Sequence, residues 1–443
     1  MPSPVRIGLL GCGVVGSGFL RLLSERTRAI QDAVGATLTL TRLAVRDKGK
    51  RRGVDLNGVE IGEDPLAVAG ADDIDVLVEL MGGADAAYPS VRRALERGRS
   101  VVTANKHLIS IYGDELEALS QASGATLRYE AAVAGVIPIL QSLDHGLRTE
   151  RFTLLVGILN GTTNYILSTM EREGRDFAEA LEAARELGFA EADPSLDLSG
   201  ADTAQKLTLL ARHAFRVPTA HGSIPTEGIV GMELEDLKQA DRFGYVVKLL
   251  GIALRTPAGL DLRVHPAFIP KRYLLASVRD EFNAVYLRGD ASGSMMFYGK
   301  GAGALPTAQA VLGDVMMVAR DVRLRAAAAS GGSPRSGPGA AEPRRRAESA
   351  DDERVSLDDI QTRYYLRLLV EDQTGVLAQI AHRLGASRVG IAQMFQAPGL
   401  RGEAEITILT HEARDRDVRD AVKAVAALPS VRRAPRAIRI FDV

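Results

Sequence analysis

The chain has no tryptophan, a single cysteine and few aromatics, with Phe, Trp and Tyr together making up 5% of its 443 residues. One thiol, Cys12, excludes an internal disulfide framework and any zinc site built on several cysteines. The seven histidines are scattered, and His213 and His221 do not match a zinc-ligand spacing. So few aromatics argue against a stacking platform for single-stranded nucleic acid. Neither sign of charge is in excess: 55 Lys and Arg stand against 56 Asp and Glu, a net charge of −1. A nucleic-acid surface needs a basic excess, so that class of partner is excluded as well. No apolar run approaches the roughly 20 residues of a membrane-spanning helix. The opening MPSPVRIGLLG lacks the basic start, long apolar stretch and cleavage site of an export signal. The expectation is a cytoplasmic protein with no nucleic-acid or membrane partner. At about 150 residues per domain the length suggests roughly three domains.

One boundary is plain. From Ala326 to Ala350 the chain reads AAAASGGSPRSGPGAAEPRRRAESA, without a single Val, Ile, Leu, Met or aromatic residue. Such a stretch cannot bury apolar surface, which predicts a flexible linker over 326–360. The arginines Arg344 to Arg346 within it read as a solvated basic patch.

Ahead of the linker, Val5 to Leu10 is an apolar run that ends in glycine, the pattern of a buried parallel strand. A helix over 14–30, strands over 37–45 and 74–80, a helix over 89–97 and a strand from 100 follow. Strands alternating with helices predict an α/β fold with a Rossmann-type, doubly wound parallel sheet over 1–136. From Ile137 the pattern changes. A strand over 152–158, an amphipathic helix over 177–187 closed by Gly188, a helix over 201–214 and a closing helix over 306–322 define an α+β domain over 137–325. Its expected roles are substrate binding, catalysis and dimerisation. The tail, 361–443, reads strand, helix, strand, strand, helix, strand. That order is ferredoxin-like βαββαβ.

Gly11, Gly13 and Gly16 form GxGxxG between the first strand and the first helix. Glycines there let the backbone turn tightly and approach a pyrophosphate, which rests on the helix N-terminus. The pattern alone is weak; its place at the first strand of an alternating α/β chain makes it a dinucleotide site. Cys12, inside the motif, reads as a small filler. The second strand ends Ala44-Val45-Arg46-Asp47, with Lys50, Arg51 and Arg52 beyond. An acid such as Asp47 suits the ribose hydroxyls of NAD, and a guanidinium such as Arg46 suits the 2′-phosphate of NADP. Thr103-Ala104-Asn105-Lys106 lies where a strand should reach the carboxyl edge of the sheet, the edge at which ligands bind.

Two further segments carry polar groups into apolar surroundings. Gly157 to Leu167, GILNGTTNYIL, reads as a binding loop, because buried Asn and Thr are costly unless bonded. Glu191, Asp193 and Asp197 read as a loop between two helices. Asp202 and Lys206, four apart, share a helix face. Such a spacing is often an exposed ion pair. Beside a loop of carboxylates it suits a substrate ammonium and a lysine that moves a proton. The second glycine cluster, Gly299 to Gly303, reads either as a plain loop or as a close approach to the cofactor.

Taken together, GCGVVG, TANK, GILNGTTNYIL, GFAEADPSLDLSGADTAQK, RVHPAFIP and FYGKGAGALPTA resemble homoserine dehydrogenase over nearly the whole chain. The family interconverts L-homoserine and L-aspartate 4-semialdehyde with NAD or NADP, in the synthesis of threonine and methionine. The resemblance implies that Glu191 binds the substrate ammonium and that Asp202 binds substrate and orients Lys206. It implies that Lys206 relays the hydroxyl proton, with Lys106 near substrate and cofactor and Asp197 also on the substrate. Which lysine is the principal proton carrier stays open. On the cofactor side it implies Gly11, Gly13, Val14, Val15, Gly16, Arg46, Gly82, Thr103, Lys106, Gly188 and Gly303, with NADP favoured over NAD. It further implies a monovalent cation, Na+, at Glu130, Val133, Gly135 and Ile137, three of them through carbonyls. Val136 stands where the family usually has a second glycine. The tail resembles an ACT domain through EDQTGVLAQIAHRLG, with Gln373-Thr374 in place of the usual residue-Pro pair. That implies an L-threonine effector near Asp372 to Val376 and a homodimer or homotetramer. Two other functions remain open at this point: another amino-acid dehydrogenase of the same fold, and a non-catalytic amino-acid sensor.

Overall fold

The structure, a computed structural model, describes residues 4–329, 354–399 and 402–442. The described chain forms two compact units. The first holds residues 4–150, Thr208–Ser223 and 297–329; the second holds Arg151–Leu207, Ile224–Met296 and 354–442. Neither unit is a single contiguous stretch of the chain. Part of the presumed substrate block returns to the first unit because its closing helix carries that unit's core: Val311, Val315 and Val318 are buried with Ile7, Phe19 and Val78.

Six parallel strands form the first sheet: β1 (Val5–Leu10), β2 (Leu38–Ala44), β3 (Glu60–Gly62), β4 (Val76–Glu79), β5 (Ser100–Thr103) and β6 (Leu127–Arg128). Their order is β3-β2-β1-β4-β5-β6. The order reverses at β1 and β4, which opens a crevice at the carboxyl ends of those two strands. The single helix expected over 14–30 is two, Val14–Glu25 and Thr27–Val34. Arg26 leaves helical geometry between them, and the Thr27 hydroxyl donates back to the Leu23 and Ser24 carbonyls.

In the second unit one mixed sheet contains ten strands. They are β7 (Phe152–Ile158), β8 (Tyr245–Thr256), β9 (Gly259–Pro270), β10 (Phe282–Gly289), β11 (Gly293–Lys300), then the tail strands β12 (Gln361–Glu371), β13 (Ile391–Pro398), β14 (Glu403–Thr410) and β16 (Arg436–Ile440), with the short β15 (Ala413–Arg414) paired to β12 off the main path. The last β11 residues, 297–300, fall in the first unit. Within the tail the order β16-β12-β14-β13 is the antiparallel order of a βαββαβ module. Helices Val376–Ala386 and Asp415–Ala426 supply Ile380, Leu384, Val418 and Val425 to its core.

The tail is joined to the rest of the unit edge to edge. β16 pairs in parallel with β9, setting Arg439 opposite Ala267 and Ile440 opposite Phe268. Phe268 stacks on Tyr365 of β12 at 4.6 Å.

The expected linker lies largely outside the described residues, and Arg344 to Arg346 with it. At its margins the structure is regular. The closing helix runs on to Ala329, and Leu357–Asp359 form a 3-10 turn capped by the Ser356 hydroxyl. The alanines 326–329 simply continue a helix for which alanine has the highest propensity.

Candidate functional site

At the crevice of the first sheet the three motif glycines do three different things. Gly11 has φ +91°, and a Cβ there would lie 2.6 Å from the Leu80 carbonyl oxygen. A Cβ on Gly16 would lie 2.4 Å from the Gly11 carbonyl oxygen, so this glycine lets the helix seat on the strand. Gly13 caps the helix Val14–Glu25, and nothing stands within 4 Å of a Cβ built on it. Val14 beside it is 75% exposed. An open backbone cradle at a helix N-terminus, with an apolar side chain left bare, fits a dinucleotide pyrophosphate. Cys12 is half-buried against the core, as a filler should be.

After β4 the chain passes through Gly82 and Gly83, both in the left-handed region at φ +78° and +77°. This turn is held by a residue that pattern reading missed. Glu79 is fully buried, and its carboxylate accepts from the Met81 N–H (2.7 Å) and the Thr103 hydroxyl (2.6 Å). Burial pushes its pKa up, against those hydrogen bonds. The Thr103 hydroxyl also accepts from the Asn105 N–H, and the Asn105 amide donates to the Gly83 carbonyl. Thr103 thus spends its hydroxyl on ordering the edge. Asn105 caps the helix Lys106–Ser123 through the Leu108 N–H, which places Lys106 at the first helical position. Beyond β2, Arg46 is exposed, while the Asp47 carboxylate closes its own turn on the Gly49 N–H at 2.8 Å.

The second unit holds Asp202 and Lys206 on the helix Ala201–Ala214. Lys206 Nζ lies 2.8 Å from Asp202 Oδ2, with side chains only 11% and 6% exposed. This is a nearly buried pair and not a solvated surface bridge. Lys206 also donates to the Leu159 carbonyl at 2.6 Å.

Leu159 and Asn160 belong to the segment read above as a loop. It is instead the end of β7 followed directly by the helix Gly161–Glu173. Asn160 is the N-cap, its Oδ1 accepting from the Thr163 N–H at 2.8 Å. Its Nδ2 donates to Asp197 Oδ1 (2.6 Å) and to Asp202 Oδ2 (2.8 Å). Asp197 is not in an open loop either; it sits in the short helix Ser195–Leu198. The signal for this helix was present: an Asn followed by Gly-Thr-Thr at a strand end is an N-cap.

The remaining expected residues fall as follows. Glu191 is exposed in the segment after Gly188. Gly188, at φ +75°, terminates the helix Phe177–Glu186. Gly303 accepts from the Thr307 N–H at the start of the closing helix. Its cluster meets the chain at Gly135, where a Cβ would lie 2.5 Å from the Lys300 carbonyl oxygen. Lys106 belongs to the first unit and Asp197, Asp202 and Glu191 to the second, as does Lys206.

At the expected cation position the Glu130 carboxylate is buried and accepts from the N–H groups of Leu140 and Gln141 at 2.8 and 2.7 Å. Its own N–H donates to Asp314. Burial, reinforced by Asp314, pushes Glu130 up to about 8, and burial pushes Asp314 up to about 6. Both carboxyls are buried, and Arg128 Nη1 lies 4.0 Å from Asp314 Oδ1. Ala134 and Gly135 take the left-handed region, and Val136 does not, so its side chain is accommodated. Among the described residues no group of three or more acidic, His or Cys side chains is placed to hold a metal. A cation here would rest on Glu130 and on carbonyls such as those of Val133, Gly135 and Ile137.

A cavity of about 530 Å3 lies elsewhere, between the β8–β9 hairpin and β12, lined by Asp261, Arg263, Arg363 and Asp442. Neither Asp202 nor Lys206 lines it, so cavity size does not locate the chemistry. No helix of the described residues is long and apolar enough to cross a membrane.

Two family models match the chain. "Homoserine dehydrogenase, NAD binding domain" covers residues 11–130, and "Homoserine dehydrogenase" covers residues 138–316. The homoserine dehydrogenase of Neisseria gonorrhoeae is 38% identical over 439 residues, spanning 99% of both chains. That of Synechocystis sp. is 39% identical, spanning 99% of this chain and all of the relative. The crystal structure of a homoserine dehydrogenase from Thiobacillus denitrificans matches with a TM-score of 0.91 at 40% identity, over 99% of each chain.

Proposed function

The chain belongs to the homoserine dehydrogenase family, and on that premise we propose that Asp202 and Lys206 are its proton-transfer pair. The activity is that of an NAD(P)-dependent oxidoreductase of amino-acid biosynthesis, interconverting L-homoserine and L-aspartate 4-semialdehyde. The observation that carries the assignment is the buried Lys206–Asp202 contact, with a second Lys206 hydrogen bond to the Leu159 carbonyl. These two acceptors aim the amine and leave a position on Nζ for the substrate hydroxyl. In the oxidative direction Lys206, as the free amine, takes the C4 hydroxyl proton. The nicotinamide, when bound, supplies the acceptor for the C4 hydride. Asp202 stabilises the ammonium that forms. Glu191 and Asp197 receive the substrate ammonium, and Lys106 assists near substrate and cofactor.

NADP is the preferred cofactor in this reading. Gly11, Gly13, Val14, Val15 and Gly16 hold the pyrophosphate end. Arg46 meets the 2′-phosphate, because the Asp47 carboxylate is occupied by the Gly49 N–H. A sodium ion at Glu130, Val133, Gly135 and Ile137 steadies the loop that Gly135 makes against Lys300. The tail acts as an ACT domain and senses L-threonine near Asp372 to Val376. The enzyme works in the cytoplasm as a homodimer or homotetramer, on the path to threonine and methionine.

Aspartate 4-semialdehyde with NADPH should consume the nicotinamide absorbance, and no turnover with either NADPH or NADH would overturn the assignment. A higher kcat/KM with NADH than with NADPH would overturn the cofactor preference. L-Threonine should lower the rate of the full chain, and Asp372→Ala should blunt that response; a rate indifferent to threonine would remove the effector.

A further inference from the structure

We propose that Glu79 is a positioning residue that locks two turns into one rim for the nicotinamide half of the dinucleotide. The role rests on the reading of the crevice between β1 and β4 as the cofactor site.

Sheet order divides the crevice. β2, with Arg46 beyond its end, lies on one side of β1, and β4 lies on the other. A dinucleotide whose pyrophosphate rests at Gly13 and whose 2′-phosphate meets Arg46 lays its nicotinamide half toward β4 and β5. The chain meets that half with two turns. One runs through Gly82 and Gly83, both left-handed, and a Cβ on either would meet nothing within 4 Å. The other runs from Thr103, the end of β5, to Lys106, the start of the next helix.

Glu79 closes a ring of hydrogen bonds through both turns. Its Oε1 accepts from the Met81 N–H at 2.7 Å and its Oε2 from the Thr103 hydroxyl at 2.6 Å. The Thr103 oxygen accepts from the Asn105 N–H, and Asn105 Nδ2 donates to the Gly83 carbonyl at 2.7 Å, back in the first turn. The Glu79 carbonyl adds a longer contact from the Ala104 N–H at 3.4 Å. The segment just after Glu79 also walls the glycine motif, since a Cβ on Gly11 would lie 3.1 Å from the Met81 Cα.

The ring needs a side chain that accepts twice and donates nothing, which is an ionised carboxylate. A glutamine would aim an amide N–H at the Thr103 oxygen, and Thr103 would have to turn its one hydrogen elsewhere. The carboxylate is an expensive choice. Glu79 is fully buried, and the groups that act most on its charge, on Thr103, Met81, Gly82 and Asn105, are all neutral. Packing of the strand end gains nothing from a buried charge without a cation. A rim held at two points gains a fixed geometry.

Two variants of the full chain test the ring. Glu79→Gln keeps the size and the Met81 acceptor but reverses the bond to Thr103. Thr103→Val keeps the shape and removes the hydroxyl. Binding is read directly, by nicotinamide fluorescence for NADPH and by calorimetry for adenosine 2′,5′-bisphosphate, which carries the 2′-phosphate without the nicotinamide half. Each variant should melt within a few degrees of the wild type and raise the NADPH Kd about tenfold. Each should leave the bisphosphate Kd within about twofold of the wild type. The double variant should lose little more than the larger single one, because both changes cut the same ring. An unchanged NADPH Kd in either variant would overturn the proposal. So would equal losses for the two ligands, the mark of a general disturbance of the sheet. Additive losses in the double variant would put the Thr103 hydroxyl on the cofactor itself and overturn it too. If Glu79→Gln does not fold, Thr103→Val decides on the same comparison of ligands. Binding of NADPH by the wild type is measured first; its absence would overturn the cofactor reading of the crevice, and this role with it.

Discussion

Lys206 reaches back one helical turn to Asp202, at 2.8 Å, and both side chains are almost out of solvent. An exposed i,i+4 pair contributes a few tenths of a kcal/mol and is bent by every neighbouring charge. Burial, together with the Leu159 carbonyl and the Asn160 amide, turns the same spacing into a fixed piece of chemistry. Lys206→Ala should lose about a thousandfold in kcat while NADPH binding, measured by nicotinamide fluorescence, stays at the wild-type value. Lys106→Ala in the same assay decides between the two lysines: a loss larger than that of Lys206→Ala would move the proton to Lys106.

The glycines of the cofactor turn predict opposite behaviour under one substitution. Gly16→Ala drives a Cβ against the Gly11 carbonyl and should cost the free protein about 1–3 kcal/mol, seen in denaturant unfolding. Gly13→Ala enters open space and should leave the free protein within about 0.5 kcal/mol. It should instead weaken NADPH, because the methyl occupies the cradle. A destabilised Gly13→Ala with normal cofactor affinity would remove the cradle interpretation.

Lys248 provides a pH dependence of stability. Burial lowers its pKa to about 8 from 10.5. Between those values the unfolded chain holds a proton that the folded chain lacks, so stability contributed by this group rises with pH across the window. Relative to Lys248→Met, the wild type should gain up to about 3 kcal/mol between pH 8 and pH 10.5. Unfolding of both proteins by urea at half-unit steps measures the difference, and a flat difference would refute the shift.

The tail is fastened by charge as well as by the β16–β9 pairing. Arg367 on β12 donates to Asp236 (2.9 Å) and Glu233 (2.7 Å) at the start of the helix Leu234–Arg242, and Asp236 is fully buried. Arg367→Ala leaves that carboxylate without its main countercharge and should cost about 3–5 kcal/mol. Asp236→Asn paired with Arg367→Met should recover much of the loss. A chain ended at residue 329 should aggregate, because it bares the β9 edge and orphans the same acids; a soluble, fully active truncation would show the fastening to be dispensable.

Much of the fold was legible in the residues. The β1 run and its glycines, the strand–helix alternation and the βαββαβ tail are local patterns, and local patterns leave periodic traces. The helix break at Arg26 and the helix Gly161–Glu173 were not legible in the same way. Nothing in the apolar spacing marks Arg26, and Gly-Thr-Thr-Asn has poor helix propensity, overridden by an N-cap and by burial against β8. Glu79 and Lys248 were missed because a charged residue inside an apolar run looks like a solvent-facing position until its partners are known.

What the sequence determined by itself was the kind of protein: a dinucleotide-binding α/β sheet, a lysine and carboxylates four residues apart on one helix, and a separate tail. Only the tertiary structure decided how those carboxylates are used. Asn160 and Asp202 are 42 residues apart in the chain, and the hydrogen bond between them exists because β7 ends where the helix of Asp202 begins. The tail's place as four more strands of one sheet was decided the same way, by pairing between β9 and β16. Sequence patterns report which face of an element is apolar. They do not report which distant polar atom that element will meet, and the chemistry here is made of such meetings.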